Sequence, residues 1–184
     1  MRIAVTGTHG SGKTTLIEDF IEGHPGWVHE QEPYWALVHQ GVEFADGPNV
    51  ADLEQQLEQS ISMLLAPHGN AQVFDRSPID FLAYLHVVGE REGVSWEPTE
   101  KLLGRVEEAI HSLDLLVFLP LSEPDDIKVR IEYPRLRLAA DRRLKAMLRD
   151  DELELFSGTK PRLLEIGGTR GRRVAVLSRA ASGA

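Results

Sequence analysis

The octapeptide GTHGSGKT, residues 7–14, has the spacing G-x-x-x-x-G-K-[ST]. Its glycines let backbone N–H groups turn toward a chain of phosphates. Gly7, His9, Gly10, Ser11, Gly12, Lys13, Thr14 and Thr15 are therefore the candidate nucleotide-binding residues. In this pattern the lysine, Lys13, reaches the β- and γ-phosphates and the Thr14 hydroxyl is a Mg²⁺ ligand. A helix opening at Lys13 would add the positive end of its dipole. The expected cofactors are ATP and Mg²⁺.

Such a loop needs a second acid near the metal, at the end of a neighbouring strand. VFDRSPID, residues 73–80, supplies Asp75 and, one residue on, Arg76. Asp75 is expected to hold the metal through water or to activate an attacking group. Arg76 would face the phosphoryl group or its acceptor. Asp114 is a second acid beside a strand, but it precedes DLLVFLPL and falls at the wrong end of a parallel sheet. Further along, KVRIEYPRLRLAADRR (128–143) offers Lys128, Arg130, Arg135, Arg137, Arg142 and Arg143. Arginine's planar fork binds phosphate bidentately. Arg130, Arg135 and Arg137 lie nearest Pro134 and are the favoured catalytic cations.

These residues must be positioned by alternating strands and helices. Short β-rich runs at 2–7, 26–33, 71–75, 114–121 and 161–168 read as strands. Helical spacing of apolar residues predicts helices over 13–23, 51–65, 78–92, 98–113 and 172–180, with a turn at 47–50. A long charged stretch, 125–156, predicts a helical segment broken at Tyr133-Pro134, and residues 181–184 a frayed tail. The alternation argues for one α/β domain over 1–184, a mostly parallel sheet covered on both faces. Ligands bind such sheets beyond the carboxyl ends of the strands.

Composition narrows the classes. With 184 residues and 42% hydrophobic content, the chain has material for one core. It contains no cysteine, so disulfides and thiolate metal sites are excluded, and a reducing cytoplasm fits. The N-terminal apolar run is too short for a signal peptide, and LDLLVFLPL is far below a membrane span. Net charge is −9, which argues against a nucleic-acid partner. The charge is uneven: residues 1–126 sum to −16 and residues 127–184 to +7. A basic final third suits a small, highly charged anion.

The N-terminal phosphate loop, DRSPID after the third strand, the arginine-bearing lid and GGTRGRR (167–173) together resemble the P-loop small-molecule kinases. The chain looks most like the AAA-domain-like ATPase/kinase group that includes ribosylnicotinamide kinase domains, with deoxynucleoside and thymidylate kinases as broader relatives. The resemblance implies a P-loop NTPase three-layer sandwich, a five-stranded parallel sheet of order 2-3-1-4-5, and a lid that closes its arginines over the transferring group. It implies that Asp75 and Arg76 position metal and acceptor. It makes Glu30 or Glu32, beside Pro33, the candidate base toward a sugar hydroxyl, although Trp35 follows the proline sooner than in the deoxynucleoside kinases. Gln56 or Gln59 would read a base or amide. Arg172 or Arg173 would flank adenine.

The implied activity is ATP- and Mg²⁺-dependent phosphoryl transfer to a small molecule, a nucleoside or nucleotide among the candidates. The alternatives are a partner-coupled ATPase and a nucleotide-binding regulatory module. A GTPase is disfavoured: TKPR (159–162) lacks the aspartate of a guanine-reading motif, and no glycine follows Asp75 at the required place. The acidic helices at 51–66 and 98–113 are candidates for pairing in a homodimer.

Overall fold

RIAVT is buried along its whole length, as a near-continuous apolar run requires when helices cover both faces of a parallel strand. It forms β1 (Arg2–Thr6). The computed structural model describes residues 1–67, 69, 71–122, 131–156 and 161–183. The other strands are β2 (Trp27–Glu30), β3 (Ala71–Asp75), β4 (Leu115–Phe118) and β5 (Arg162–Glu165). They pair in the order β2-β3-β1-β4-β5, every pair parallel. This is the expected five-stranded P-loop sheet. Every residue of the edge strands β2 and β5 is at least partly exposed.

The helices are α1 (Lys13–Glu22), α2 (Pro33–His39), α3 (Val50–Leu65), α4 (Pro78–Glu92), α5 (Glu100–His111), α6 (Pro134–Arg149) and α7 (Arg170–Ser182). Side chains alternate along β1 and divide the core in two. Ile3 and Val5 face Leu16, Ile17 and Phe20 of α1 and Leu177 of α7. Ala4 faces the opposite layer, built from α3, α4, α5 and α6. In register, Val5 lies beside Asp75 and Thr6 beside Phe118, so three strands end level with one another. The loops that leave those ends share one rim.

Three local expectations are revised. Pro33 does stop β2, but it also opens α2 as its first residue, where a missing N–H costs nothing. The expected break at Tyr133-Pro134 is present, but the helix described after it covers only part of 125–156. Residues 123–130 lie outside the described residues, Ile131 to Tyr133 are not helical, and α6 begins at Pro134 behind a left-handed Tyr133 of φ 49°. Helix α6 ends at Arg149, and the chain then turns back to bury Leu155. The final helix starts at Arg170 and runs through Ser182, with Ala181 packed on the core, so 181–182 are ordered helix. Helices α3 and α5 bury their apolar stripes within this chain, and Arg105 reaches Glu58 between them at 2.7 Å.

Candidate active site

The phosphate loop spans the gap between β1 and α1. Its first glycine is sterically required: a Cβ on Gly7 would stand 2.8 Å from both the Leu119 carbonyl oxygen and Ser11 Oγ. Gly12 caps α1 in the left-handed region at φ 89°. Lys13 is buried, and its Nζ donates to the Thr8 carbonyl at 3.0 Å. Burial, and Arg76 after it, hold its pKa below the usual lysine range.

Beside the loop, Thr14 Oγ1 donates to Asp75 Oδ2 at 2.6 Å. Asp75 Oδ1 is buried without a partner, as are Ser11 Oγ and Thr8 Oγ1. Orphaned buried oxygens are uncommon in folded proteins. Three of them in one loop and its neighbouring acid suit a ligand that brings donors or a cation. Burial raises the Asp75 pKa, Lys13 opposes that, and Glu32 adds to it. Mg²⁺ fits this donor set, because it takes one or two protein oxygens and completes its shell with phosphate and water. Among the described residues, no group of three or more His, Asp or Glu side chains gathers as a fuller metal cage. Asp114 sits at the opposite end of the sheet, where its Oδ2 accepts from Arg2 N at 2.8 Å.

Arg76 follows Asp75 directly, with a positive φ of 85° that non-glycine residues seldom adopt. Its N–H donates to Val5 O at 3.0 Å, and its Nε lies 3.1 Å from Glu32 Oε1. Its Nη1 lies 3.6 Å from Asp80 Oδ1. Its guanidinium also stands over the rings of Tyr84 and Phe81, at 5.8 and 6.0 Å. Burial opposes the charge, but Glu32 and the other acids outweigh it and keep Arg76 protonated. The same pairing works on Glu32. Burial would raise its pKa, yet Arg76 and then Lys13 hold the carboxyl below the ordinary range.

Two cavities meet at this pair. One, about 640 Å³, runs along the phosphate loop past Lys13 and Thr14 to Arg173. The other, about 740 Å³, is walled by Tyr34, Phe44, Phe81 and Tyr84. His9, Glu32 and Arg76 line both. Of the two candidate bases, only Glu32 is at this junction. Glu30 accepts from Gln72 Nε2 at 2.8 Å and lines neither cavity. Gln56 lines the second cavity, its amide donating to Asp52 O at 3.2 Å, whereas Gln59 does not line it.

The favoured cations separate. Arg137 is buried over the loop, where Nε donates to His9 O at 2.9 Å and Nη2 to Gly10 O at 3.0 Å. It grips the loop's carbonyls. Arg135 is exposed and lines a different groove with Val87, Arg91 and Tyr133, away from the phosphate loop. Lys128 and Arg130 lie outside the described residues. Arg142 is exposed, and Arg143 pairs with Glu152. At the other rim, Arg173 lines the phosphate-loop cavity and donates to Ser11 O and Gly168 O, both at 2.8 Å. Arg172 is exposed and lines neither of the two cavities.

The structure adds residues that sequence reading passed over. Asp80, fully buried, accepts from Gly7 N at 2.8 Å, Thr6 Oγ1 at 2.6 Å and Ser77 N at 2.9 Å. It ties the phosphate loop to the Asp75 turn. Its signal was the Ser77-x-x-Asp80 spacing of a capping box. Arg170 lines the phosphate-loop cavity and holds Asp19 with two bonds of 2.6 Å. Tyr84 bonds His9 from α4.

A family model described as an AAA domain matches residues 2–158. The chain belongs to that AAA domain family. No curated protein matches its sequence. Among solved structures, thymidylate kinase from Candida albicans is similar at 14% identity and a TM-score of 0.62, over 99% of this chain and 91% of that one. Deoxyadenosine kinase from M. mycoides with bound dATP is similar at 14% identity and a TM-score of 0.63, over 98% and 99%. At such identities the likeness is one of fold, and this AAA domain has the fold of the P-loop small-molecule kinases. No described helix is long and apolar enough to cross a membrane.

Proposed function

We propose that the protein is an ATP- and Mg²⁺-dependent phosphotransferase that moves the γ-phosphoryl group to a hydroxyl of a small molecule, a nucleoside or nucleotide being the first candidates. The observation that carries this reading is the shared wall. Glu32 and Arg76 line both the phosphate-loop cavity and the second cavity. A hydrolase needs only room for water at that point, whereas about 740 Å³ of aromatic-walled space is room for an organic acceptor.

The loop's free N–H groups and Lys13 would hold the phosphates, with Thr14 and Asp75 holding Mg²⁺. Bound Mg²⁺ would supply charge neutralisation at the transferring group. Glu32 would orient the acceptor hydroxyl and take its proton as the oxygen–phosphorus bond forms and the bridging bond to the β-phosphate breaks. A depressed pKa makes Glu32 a weak base. That suits a loose transition state in which positioning outweighs proton abstraction. Arg76 would hold Glu32 in place and offset charge between the two cavities. Arg173 and the Gly168 turn would border the purine.

The test is ATP turnover with Mg²⁺ against a panel of nucleosides, nucleoside monophosphates and nicotinamide riboside. Strong stimulation by one compound, with a phosphorylated product, supports the proposal. Hydrolysis that is indifferent to every compound moves the protein to the partner-coupled NTPases.

A further inference from the structure

His9 occupies a variable position of the phosphate-loop pattern, yet every polar atom it offers is engaged. Its backbone N–H donates to Tyr84 Oη at 3.0 Å. Its Nδ1 lies 2.6 Å from the same phenol oxygen, and its Nε2 lies 2.7 Å from the Glu132 carbonyl oxygen. Its own carbonyl accepts from Arg137 Nε at 2.9 Å. A carbonyl can only accept, so Nε2 carries the proton and Nδ1 must accept from the Tyr84 hydroxyl. The phenol oxygen then donates to the ring and accepts from the backbone of one residue, a two-point grip on the loop's crest. Burial lowers the His9 pKa, which agrees with a neutral ring.

Tyr84 is buried and belongs to α4, on the wall of the second cavity. It does not line the phosphate-loop cavity. We infer that Tyr84 is a positioning residue for the phosphate loop: through His9, the wall of the second cavity sets the direction of the peptide at the crest of the first. The inference rests on the nucleotide-binding half of the proposed function and is independent of the acceptor. In this chain the His9 amide is committed to a phenol, so phosphate is left to the amides that follow it. The loop is thereby oriented before any nucleotide arrives, which lowers the ordering cost of binding.

The experiment is calorimetric titration of the full chain with Mg²⁺-ADP, paired with ¹⁵N NMR of the imidazoles. Tyr84→Phe keeps the ring and removes both bonds. It should weaken Mg²⁺-ADP binding roughly tenfold, the scale of losing a buried hydrogen-bond pair. A core variant on the same helix, Val88→Ala, should lower thermal stability and leave that affinity unchanged. His9→Ala and Tyr84→Phe combined should cost less than the sum of the two, because each breaks the same link. The NMR signal that disappears in His9→Gln should report an Nε2–H tautomer in the wild type and change in Tyr84→Phe. Equal Mg²⁺-ADP affinity in wild type and Tyr84→Phe, additive effects, or an Nδ1–H tautomer in the wild type would each overturn the assignment. A wild type that binds no Mg²⁺-ADP would instead bring down the nucleotide reading, and this assignment with it.

Discussion

Glu32 and Arg76 stand 3.1 Å apart where β2 and β3 end side by side, and the pair is the partition between the two cavities. Glu32→Gln keeps the shape and removes the charge. In single-turnover assays it should lower phosphoryl transfer by roughly 10²–10⁴, the range for loss of a positioned base. Mg²⁺-ATP binding should stay within a few-fold of wild type. A variant with unchanged turnover would leave Glu32 as a mere counterion to Arg76.

The pH dependence follows from the same pair. Glu32's pKa is depressed on folding. Its ionised form therefore adds stability above the unfolded value of about 4.3, and that stability is lost only as pH falls through the lower folded value. The acid limb of kcat/KM assigned to this base should likewise lie below the ordinary glutamate range. A limb near neutrality that vanishes in Glu32→Gln would contradict this.

Asp75 has the opposite sign. Its folded pKa is raised by burial, so the native state holds this proton more tightly than the unfolded chain does. Stability falls as pH rises through the ordinary aspartate value of about 3.9 toward the raised one, and the ionised carboxylate weakens the free protein. Asp75→Asn should keep or raise the Tm of the nucleotide-free protein while Mg²⁺-dependent turnover is lost. Differential scanning calorimetry checks the first outcome, and a clear drop in Tm would count against it.

Lys13→Ala should abolish turnover and weaken nucleotide binding sharply, because no other loop side chain carries a charge to the phosphates. Titration calorimetry reads the affinity. Full activity in this variant would refute the loop's assignment.

Arg137 and Arg135 should behave oppositely. Arg137→Ala leaves two loop carbonyls without their donor, so both Tm and nucleotide affinity should fall. Arg135→Ala changes an exposed side chain and should stay within about 0.5 kcal/mol in stability with turnover preserved. Equal losses in both would show that the exposed arginine also reaches the site.

The strands and the helices between them were legible because the two carry different periods, whereas the order of the sheet was implied by the resemblance to the P-loop small-molecule kinases. The phosphate loop, Asp75 and Arg76 were legible because their chemistry depends on local spacing. What stayed hidden depends on phase. Arg135 and Arg137 are two residues apart on α6, about 200° round the helix, so one is buried over the loop and the other faces out. Phase likewise decides between the two arginines expected near adenine: Arg173 lines the cavity rim and Arg172 does not, while Arg170, three residues before Arg173 on the same face, was missed. Helix α2 escaped because seven residues behind a proline leave little periodic signal. Asp80 escaped because its role lies in a contact with Gly7, far away in sequence.

Arg76 carries its buried guanidinium on a backbone turned to φ 85°, a conformation in which glycine would rest without strain. Relief of that strain is worth about 1–3 kcal/mol, whereas Arg76→Gly would leave the Glu32 and Asp80 carboxylates without their buried cation at about 3–5 kcal/mol, so a library screened for heat resistance would keep the arginine. At this position the charge that divides the two cavities also holds the fold, so one codon serves both the melting temperature and the shape of the site.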